Sequence, residues 1–272
     1  MAEVQIENSA ARFCFKLQFH QMRKFLILLS REIKSYFYSP IAYVVLCFFL
    51  LMMGMAFYMG LLYLSSGPTE VTVVESFFNT VPFWFGFVLI FPLITMRLFA
   101  EEFKLGTIES LMTAPVTDAQ VVLSKFCGAV LFYVILCLPT VAFFYVFHLL
   151  TKSPAANAPG AYCGAYLMLF LMGTFYISIG CVASVITRDQ IIAAVISFVA
   201  IATLFFVGLL GFYLPHVTPA VRDFLNYFSS IEHMGDFSRG MIDSRPIVYY
   251  LSMTTLMLVI TYQIFQSRKW KL

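Results

Sequence analysis

Long apolar runs separated by short charged segments constrain this chain more than any other feature. Residues 41–64, IAYVVLCFFLLMMGMAFYMGLLYL, contain no charged side chain and are long enough for a helix to cross about 30 Å of hydrocarbon. Five further runs are apolar over a similar length, at about 76–97, 120–150, 161–187, 190–214 and 246–267. The sequence therefore predicts an all-α, polytopic membrane protein with six transmembrane helices.

The composition agrees with this prediction. Hydrophobic residues make up 61% of the 272 residues and charged residues 11%, whereas soluble domains are about 45–50% apolar and about 25% charged. We expect residues 1–272 to form a single transmembrane domain. The first 13 residues, MAEVQIENSAARF, contain acids and no short apolar core, so we expect no cleaved signal peptide.

The distribution of Lys and Arg predicts the orientation. With the N-terminus inside, only four of the 17 Lys and Arg residues fall in outer segments: Lys152, Arg222, Arg239 and Arg245. Positive charge is concentrated on the cytoplasmic side of membrane proteins. We therefore expect a multi-pass protein of the cell inner membrane with both termini cytoplasmic.

Residues 23–38 have the pattern of an amphipathic helix lying in the membrane interface. On a helical wheel Arg23, Lys24, Arg31 and Lys34 fall within one arc, opposite an apolar arc. Ser39-Pro40 ends this pattern and turns the chain into the first span. The alternative is a positively charged flank that only fixes topology.

Motifs for chemistry within the chain are missing from the sequence. It has no G-x-x-x-x-G-K-[ST] phosphate loop, no H-E-x-x-H, no G-x-S-x-G and no Cys/His array. Glu101-Glu102 begins an E-E-x-x-x-R pattern of intramembrane proteases, but Gly106 occupies the Arg position. We expect no enzymatic activity, no catalytic residue, no metal and no cofactor in this chain.

The segment 98–117, LFAEEFKLGTIESLMTAPVT, interrupts the apolar pattern with a helix of its own. Gly106-Thr107 breaks the helix that leaves the second span, and Pro115 ends a short helix over about 107–115. Ile108, Leu111 and Met112 share one side of that helix, and Glu109 lies in its first turn. The segment suits a docking helix for a cytoplasmic partner; the alternative is a solvated loop.

This segment resembles the membrane subunits of ABC-2 type exporters. Those carry a pattern R-x-(F/I)-A-E-E-(R/K)-x-x-G-T-(L/I)-E-x-L-(L/M)-(T/S)-x-P-(V/L), and this chain follows it from Arg97 to Val116. It departs at Phe103 and Leu105, where relatives tend to have polar or basic residues. Residues 31–44, REIKSYFYSPIAYV, are similar to the family's interfacial helix and the start of its first span.

A third pattern, H-x-x-x-F-x-x-G-x-I-D-x-R-x-x-x-Y, resembles a branch that includes gliding-motility-associated permeases. Seven residues match it: His233, Phe237, Gly240, Ile242, Asp243, Arg245 and Tyr249. The resemblance implies that residues 215–245 form short extracellular helices that dip back toward the membrane. An ordinary ordered loop is the alternative.

The resemblance also implies a mechanism through partners. Two such subunits would pair, as a homodimer or with a sister permease, above two cytoplasmic ABC ATPase subunits that bind ATP and Mg. Residues 107–115 would be the coupling helix, with Glu101 and Glu102 as contacts beside it and Arg97 as an anchor at the inner interface. The expected function is a permease of an ATP-driven exporter in the lipid membrane, with no nucleic-acid partner. The alternative is a non-transporting anchor that passes ATPase motion to envelope or gliding machinery.

Small residues on the fourth span predict close helix packing. Gly160 and Gly164 have G-x-x-x-G spacing, and Gly173, Gly180 and Ser184 line one face. We expect these positions to serve packing within the chain, with a dimer contact as the alternative.

Overall fold

Six long helices that can span a membrane dominate the computed structural model. The structure describes residues 21–67, 71–108, 116–151, 159–213, 218, 221 and 225–269. Its helices are α1 (21–38), α2 (Pro40–Ser65), α3 (Val73–Phe78), α4 (Val81–Thr95), α5 (Ala100–Leu105), α6 (Asp118–Thr151), α7 (Pro159–Ile186), α8 (Gln190–Tyr213), α9 (Ser230–Ser238) and α10 (Ser244–Lys269). By length and composition α2, α4–α5, α6, α7, α8 and α10 qualify as spans. The all-α, six-span prediction is confirmed.

The predicted helix before the first span is present, and it ends where expected. Ser39 has extended backbone (φ −89°, ψ 126°), and Pro40 occupies the first turn of α2. Proline suits that position because its missing N–H would have no partner within the helix. Tyr36 and Leu28 of α1 pack against the core, whereas Leu26 and Ile27 are exposed.

The second span differs from the prediction at both ends. The apolar run at 76–97 begins inside α3, and Asn79-Thr80 separates α3 from α4. At the other end a turn over 96–99 divides α4 from α5, so the helix does not continue unbroken from Arg97. Pro82 in the first turn of α4 explains the first break, since proline favours the start of a helix.

Helix α7 lies at the centre of the bundle. Every residue from Leu171 to Cys181 is buried, and α7 packs against α4, α6, α8, α9 and α10. Its glycines lie at these contacts: a methyl group on Gly173 would overlap the ring of Tyr133, and one on Gly180 would overlap Thr95. These small residues serve packing within the chain, as expected.

Gly164 and Gly160, one turn apart on α7, make a matched test of this packing. A side chain at Gly164 would overlap the backbone carbonyl of Phe237 in α9, whereas Gly160 faces open space. We expect Gly164→Leu to lower the free energy of unfolding by about 1–3 kcal/mol, as overpacking does. Gly160→Leu should leave it unchanged or raise it slightly. Thermal unfolding of the detergent-solubilised protein measures both, and equal midpoints would contradict the assigned contact.

Candidate functional site

The candidate site is built around α5, at the end of the bundle where α1 and the turn between α7 and α8 lie. Glu101 and Glu102 are in the first turn of α5 and Lys104 is in its last turn, an arrangement that the helix dipole favours. Gly106 ends the helix with φ 70°, a left-handed conformation that glycine adopts without strain. The predicted break at Gly106 is therefore confirmed.

The first backbone N–H groups of α5 are capped by another helix. Ser184 Oγ on α7 accepts hydrogen bonds from the N–H groups of Phe99 (3.0 Å) and Ala100 (3.2 Å). Such N–H groups have no partner within their own helix. The contact fixes the start of α5 to the central helix.

A buried lysine joins three elements beneath α5. Lys125 of α6 is 2% exposed, and its Nζ lies 3.2 Å from Glu32 Oε1 of α1 and 3.0 Å from Glu102 Oε1 of α5. Arg31 Nη2 reaches the same Glu102 oxygen at 3.3 Å. The Lys125 ammonium also lies 5.5 Å from the centre of the Phe99 ring. We call Arg31, Glu32, Glu102 and Lys125 the charge cluster; it couples α1, α5 and the start of α6.

Arg97 joins the end of the second span to the start of the first. Its Nη1 donates a hydrogen bond to Ser39 Oγ in the turn between α1 and α2. Its Nε lies 3.6 Å from Glu101 Oε2, one turn further along the chain. The role of Arg97 as an anchor at the inner membrane interface stays a prediction.

The last helix, α10, contacts α5 through Arg268. The Arg268 guanidinium lies over the Phe103 ring, 4.9 Å from its centre, and donates to the carbonyl of Ile186 at the end of α7. Such cation–π contacts contribute about 0.5–2 kcal/mol, depending on solvent exposure. Phe103, which is 9% exposed, therefore packs within this chain.

Only part of the predicted coupling helix can be compared with the structure. Thr107 and Ile108 are helical, and Thr107 is exposed. Ile108 is 3% exposed and belongs to the core, which disagrees with the expectation that it faces a partner. Glu109, Leu111, Met112 and Pro115 lie outside the described residues. Leu105 is 67% exposed beside this segment.

The start of α6 has the cap that its sequence predicts. Thr117 Oγ1 accepts from the N–H of Gln120, and Gln120 Oε1 accepts from the N–H of Thr117. This reciprocal capping box fixes where α6 begins. The Gln120 side-chain amide also donates hydrogen bonds to Gln21 of α1. The start of α6 is therefore bonded to α1, the helix that contributes Arg31 and Glu32 to the charge cluster.

Arg23, Lys24 and Lys34 lie on α1, and their role as anchors at the membrane interface stays a prediction. Arg23 and Lys34 are exposed and Lys24 is partly buried. Arg31, assigned to the same group, is 55% exposed and pairs with Glu102. It therefore has a role within the chain as well as at the surface.

The residues of the pattern from His233 to Tyr249 lie at the end of the bundle opposite α5. Helix α9, with buried His233, Met234 and Phe237, packs against α7 and α3. His233 Nδ1 lies 3.3 Å from the Tyr250 hydroxyl. Burial lowers the pKa of His233 to about 4, and Asp243 opposes this shift.

The remaining residues of the pattern shape the turn into α10. Gly240 has φ 83° and its N–H bonds the carbonyl of Phe237. Asp243 Oδ1 accepts from the backbone N–H of Arg245, at the start of α10. The pattern is thus explained locally as helix end, turn and helix start.

Two ion pairs, Glu75–Arg239 and Glu32–Lys125, were not predicted from the sequence. Glu75 of α3 is 6% exposed and its Oε1 accepts from Nε of Arg239, 2.7 Å away. Glu32 was not singled out either, although it lies four residues after Leu28 and four before Tyr36, on the core-facing stripe of α1. A carboxylate in an apolar stripe indicates a buried partner, because an unpaired buried charge is costly.

A comparison with protein-family models assigns the chain to a family. A family model described as "ABC-2 family transporter protein" matches residues 38–204, more than half of the chain. The chain belongs to the ABC-2 transporter family. Individual curated proteins give no match to the sequence.

Membership identifies a membrane component of transport that is not itself catalytic. The matched region runs from the last residue of α1 into α8, so it includes α5, Gly106 and the predicted coupling helix, 107–115. In the part of the chain that the structure describes, no group of three or more His, Cys, Asp or Glu side chains could hold a metal ion. Glu102 of α5 forms ion pairs with Arg31 of α1 and Lys125 of α6.

Proposed function

We propose that this ABC-2 family protein is the permease subunit of an ATP-driven exporter. A separate cytoplasmic ABC ATPase would bind at the coupling segment, 107–115, and its motion would move substrate across the membrane. One observation supports this above the others: α5, which leads directly into the coupling segment, is tied to four other helices by polar or aromatic contacts. A displacement of the coupling segment would therefore move the connected helices together as a rigid body.

The individual contacts define the path of that motion. Glu102 reaches α1 and α6 through Arg31 and Lys125. The N–H groups at the start of α5 reach α7 through Ser184. Phe103 reaches α10 through Arg268. Because interfaces packed in this way shift between discrete arrangements rather than bending, a small displacement at α5 is amplified across the spans.

The orientation and the partners complete the proposal. The end of the bundle that contains α1 and α5 would face the cytoplasm, since the positive charges concentrate there. ATP and Mg would be bound by the ATPase, and two permease subunits, identical or not, would form the pathway. The inner membrane of the cell is the expected location.

Loss of the ATPase from the purified complex tests this proposal. Glu109→Lys in the coupling segment and Leu105→Glu on the exposed surface beside it should each reduce co-purification of a P-loop ATPase by about tenfold or more, because 1.4 kcal/mol of interface energy corresponds to a factor of ten. Met241→Glu is the matched control, since Met241 is 53% exposed at the opposite end. Retention of the ATPase by both test variants, with unfolding midpoints like that of the control, would contradict the proposal.

The residues from His233 to Tyr249 favour a second candidate, a membrane anchor of the gliding-motility type that transmits force without transport. The two functions differ in one measurement. In sealed vesicles containing the permease and its ATPase, an exporter moves substrate when ATP is added. An anchor would show ATPase activity stimulated by the permease and no flux of any tested amphipathic or lipid-linked compound.

A further inference from the structure

A cavity beside the charge cluster is lined by both signs of charge. It has a volume of about 420 Å³ and lies between α1, α2 and the α4–α5 junction, within the size range of small-molecule sites. Its charged lining consists of three cations and three carboxylates: Arg31, Arg97, Lys125, Glu32, Glu101 and Glu102. The lining is therefore balanced in formal charge.

The charges divide into a buried floor and an accessible wall. Lys125, Glu32 and Glu102 form the floor, with side chains 2%, 13% and 13% exposed. Arg31 at 55%, Arg97 at 29% and Glu101 at 36% remain accessible. The accessible wall thus offers two guanidinium groups and one carboxylate to a ligand, with Ser35 and Ser39 as hydroxyl neighbours.

The polarity of the cavity changes along its length in the same direction as that of a lipid leaflet. Its lining passes from the charged residues of α1 and α5 to the apolar side chains of Ile41, Val45 and Leu93 within the first and second spans. Val45 lies five residues into α2, which corresponds to about 7 Å of helix rise. A ligand that fits both ends has a charged head and an apolar tail.

We propose that this cavity binds a zwitterionic phospholipid with a primary ammonium group, such as phosphatidylethanolamine. Arg31 and Arg97 bind the phosphate, since guanidinium groups donate paired hydrogen bonds to phosphate oxygens. Glu101 accepts from the ammonium group, and the apolar wall holds the start of an acyl chain. The preference over an anionic lipid comes from Glu101, because its carboxylate gains an ion pair with the ammonium group that a glycerol headgroup does not offer.

Lipid selectivity of the delipidated full-length chain tests this assignment. Phosphatidylethanolamine and phosphatidylglycerol with identical dioleoyl chains are titrated separately, with retention followed by native mass spectrometry and by the unfolding midpoint. We expect half-saturation by phosphatidylethanolamine at a concentration about tenfold lower, the factor that corresponds to 1.4 kcal/mol. Glu101→Gln removes the ammonium acceptor and should make the two lipids equal. Equal retention of the two lipids by the unmodified protein would overturn the proposal.

A blocking variant separates the cavity from the rest of α1. Ser35 lines the cavity and Ser30 lies outside it; both are exposed on the same helix. Ser35→Trp should abolish the preference for phosphatidylethanolamine, while Ser30→Trp keeps it. Equal preference in the two variants would assign the lipid to another surface. Free phosphoethanolamine at the same concentration should give no shift of the midpoint, and a shift as large as that of the lipid would overturn the lipid assignment in favour of a soluble ligand.

Discussion

Replacing Lys125 with methionine is expected to lower the free energy of unfolding by about 3–5 kcal/mol, the range found when one partner of a buried ion pair is removed. Lys125 is 2% exposed and holds the carboxylates of Glu32 and Glu102 on either side of its ammonium group. Methionine has a similar length and no charge, so the cavity that it leaves is small. The loss therefore comes from the two partly buried carboxylates and not from packing.

The two carboxylates are not affected equally by this change. Glu102 keeps Arg31 as a cationic partner, whereas Glu32 has only the Lys125 contact among the ion pairs of the described residues. Adding Glu32→Gln to Lys125→Met should therefore recover part of the lost stability. The recovery measures how much of the loss arises from one unpaired carboxylate, as in a double-mutant cycle.

Unfolding midpoints in detergent or nanodiscs measure this effect. Lys104→Met is the matched control, because Lys104 is an exposed cation at the end of α5, close in sequence to the charge cluster. We expect the control to differ from the unmodified protein by no more than about 0.5 kcal/mol, as is usual for surface changes. If Lys125→Met and Lys104→Met unfold alike, the charge cluster contributes nothing to stability, and the proposed path from α5 to α1 and α6 loses its basis.

The spans could be predicted from sequence because their signal is local. An uncharged run of about 20 apolar residues has few alternatives to a membrane-spanning helix. Asn79, Thr80 and Pro82 also predict the break between α3 and α4. The average hydropathy of the apolar run does not reveal this break, because the run continues on both sides of it. The turn residues themselves, considered apart from hydropathy, predict the position of this break.

The contacts of the charge cluster could not be predicted from sequence. Lys125 and Glu32 are 93 residues apart, and Arg31 and Glu102 are 71 apart. Nothing in the local pattern says which spans are neighbours, so the partner of a charged residue at a helix end stays open. For this reason Glu102 was expected to contact an ATPase, whereas the structure places one of its oxygens between Arg31 and Lys125. A contact of Glu101 or Glu102 with the ATPase remains a prediction.

The orientation of short helices is similarly beyond sequence reasoning. The coupling segment has apolar residues on one side, but a short helix can turn that side toward a partner or toward its own bundle. Ile108 turns inward, and Phe103 packs under Arg268. In both cases a contact with the rest of the bundle, and not the local sequence pattern, decides the orientation.

Acidification is expected to destabilise the end of the bundle opposite α5 through His233. The pKa of this buried imidazole falls to about 4, whereas the ordinary value in an unfolded chain is about 6.5. Between these values the unfolded chain binds a proton that the folded chain does not, so stability falls as the pH falls. The contribution is fully present above about pH 6.5 and is lost toward pH 4. It amounts to about 3 kcal/mol over this range, at about 1.4 kcal/mol for each pH unit.

A comparison with His233→Gln isolates this contribution from the titration of carboxylates. Glutamine keeps a polar group near the Tyr250 hydroxyl, which lies 3.3 Å from His233 Nδ1, but it does not titrate. Chemical denaturation at pH 7 and at pH 4.5 should show the unmodified protein losing about 2–3 kcal/mol more than the variant, following the same proton linkage. Asp243 attracts the protonated imidazole, so Asp243→Asn should increase the loss further. Identical pH dependence in the unmodified protein and His233→Gln would show that α9 opens before His233 protonates, and that its packing on α7 contributes little to the fold.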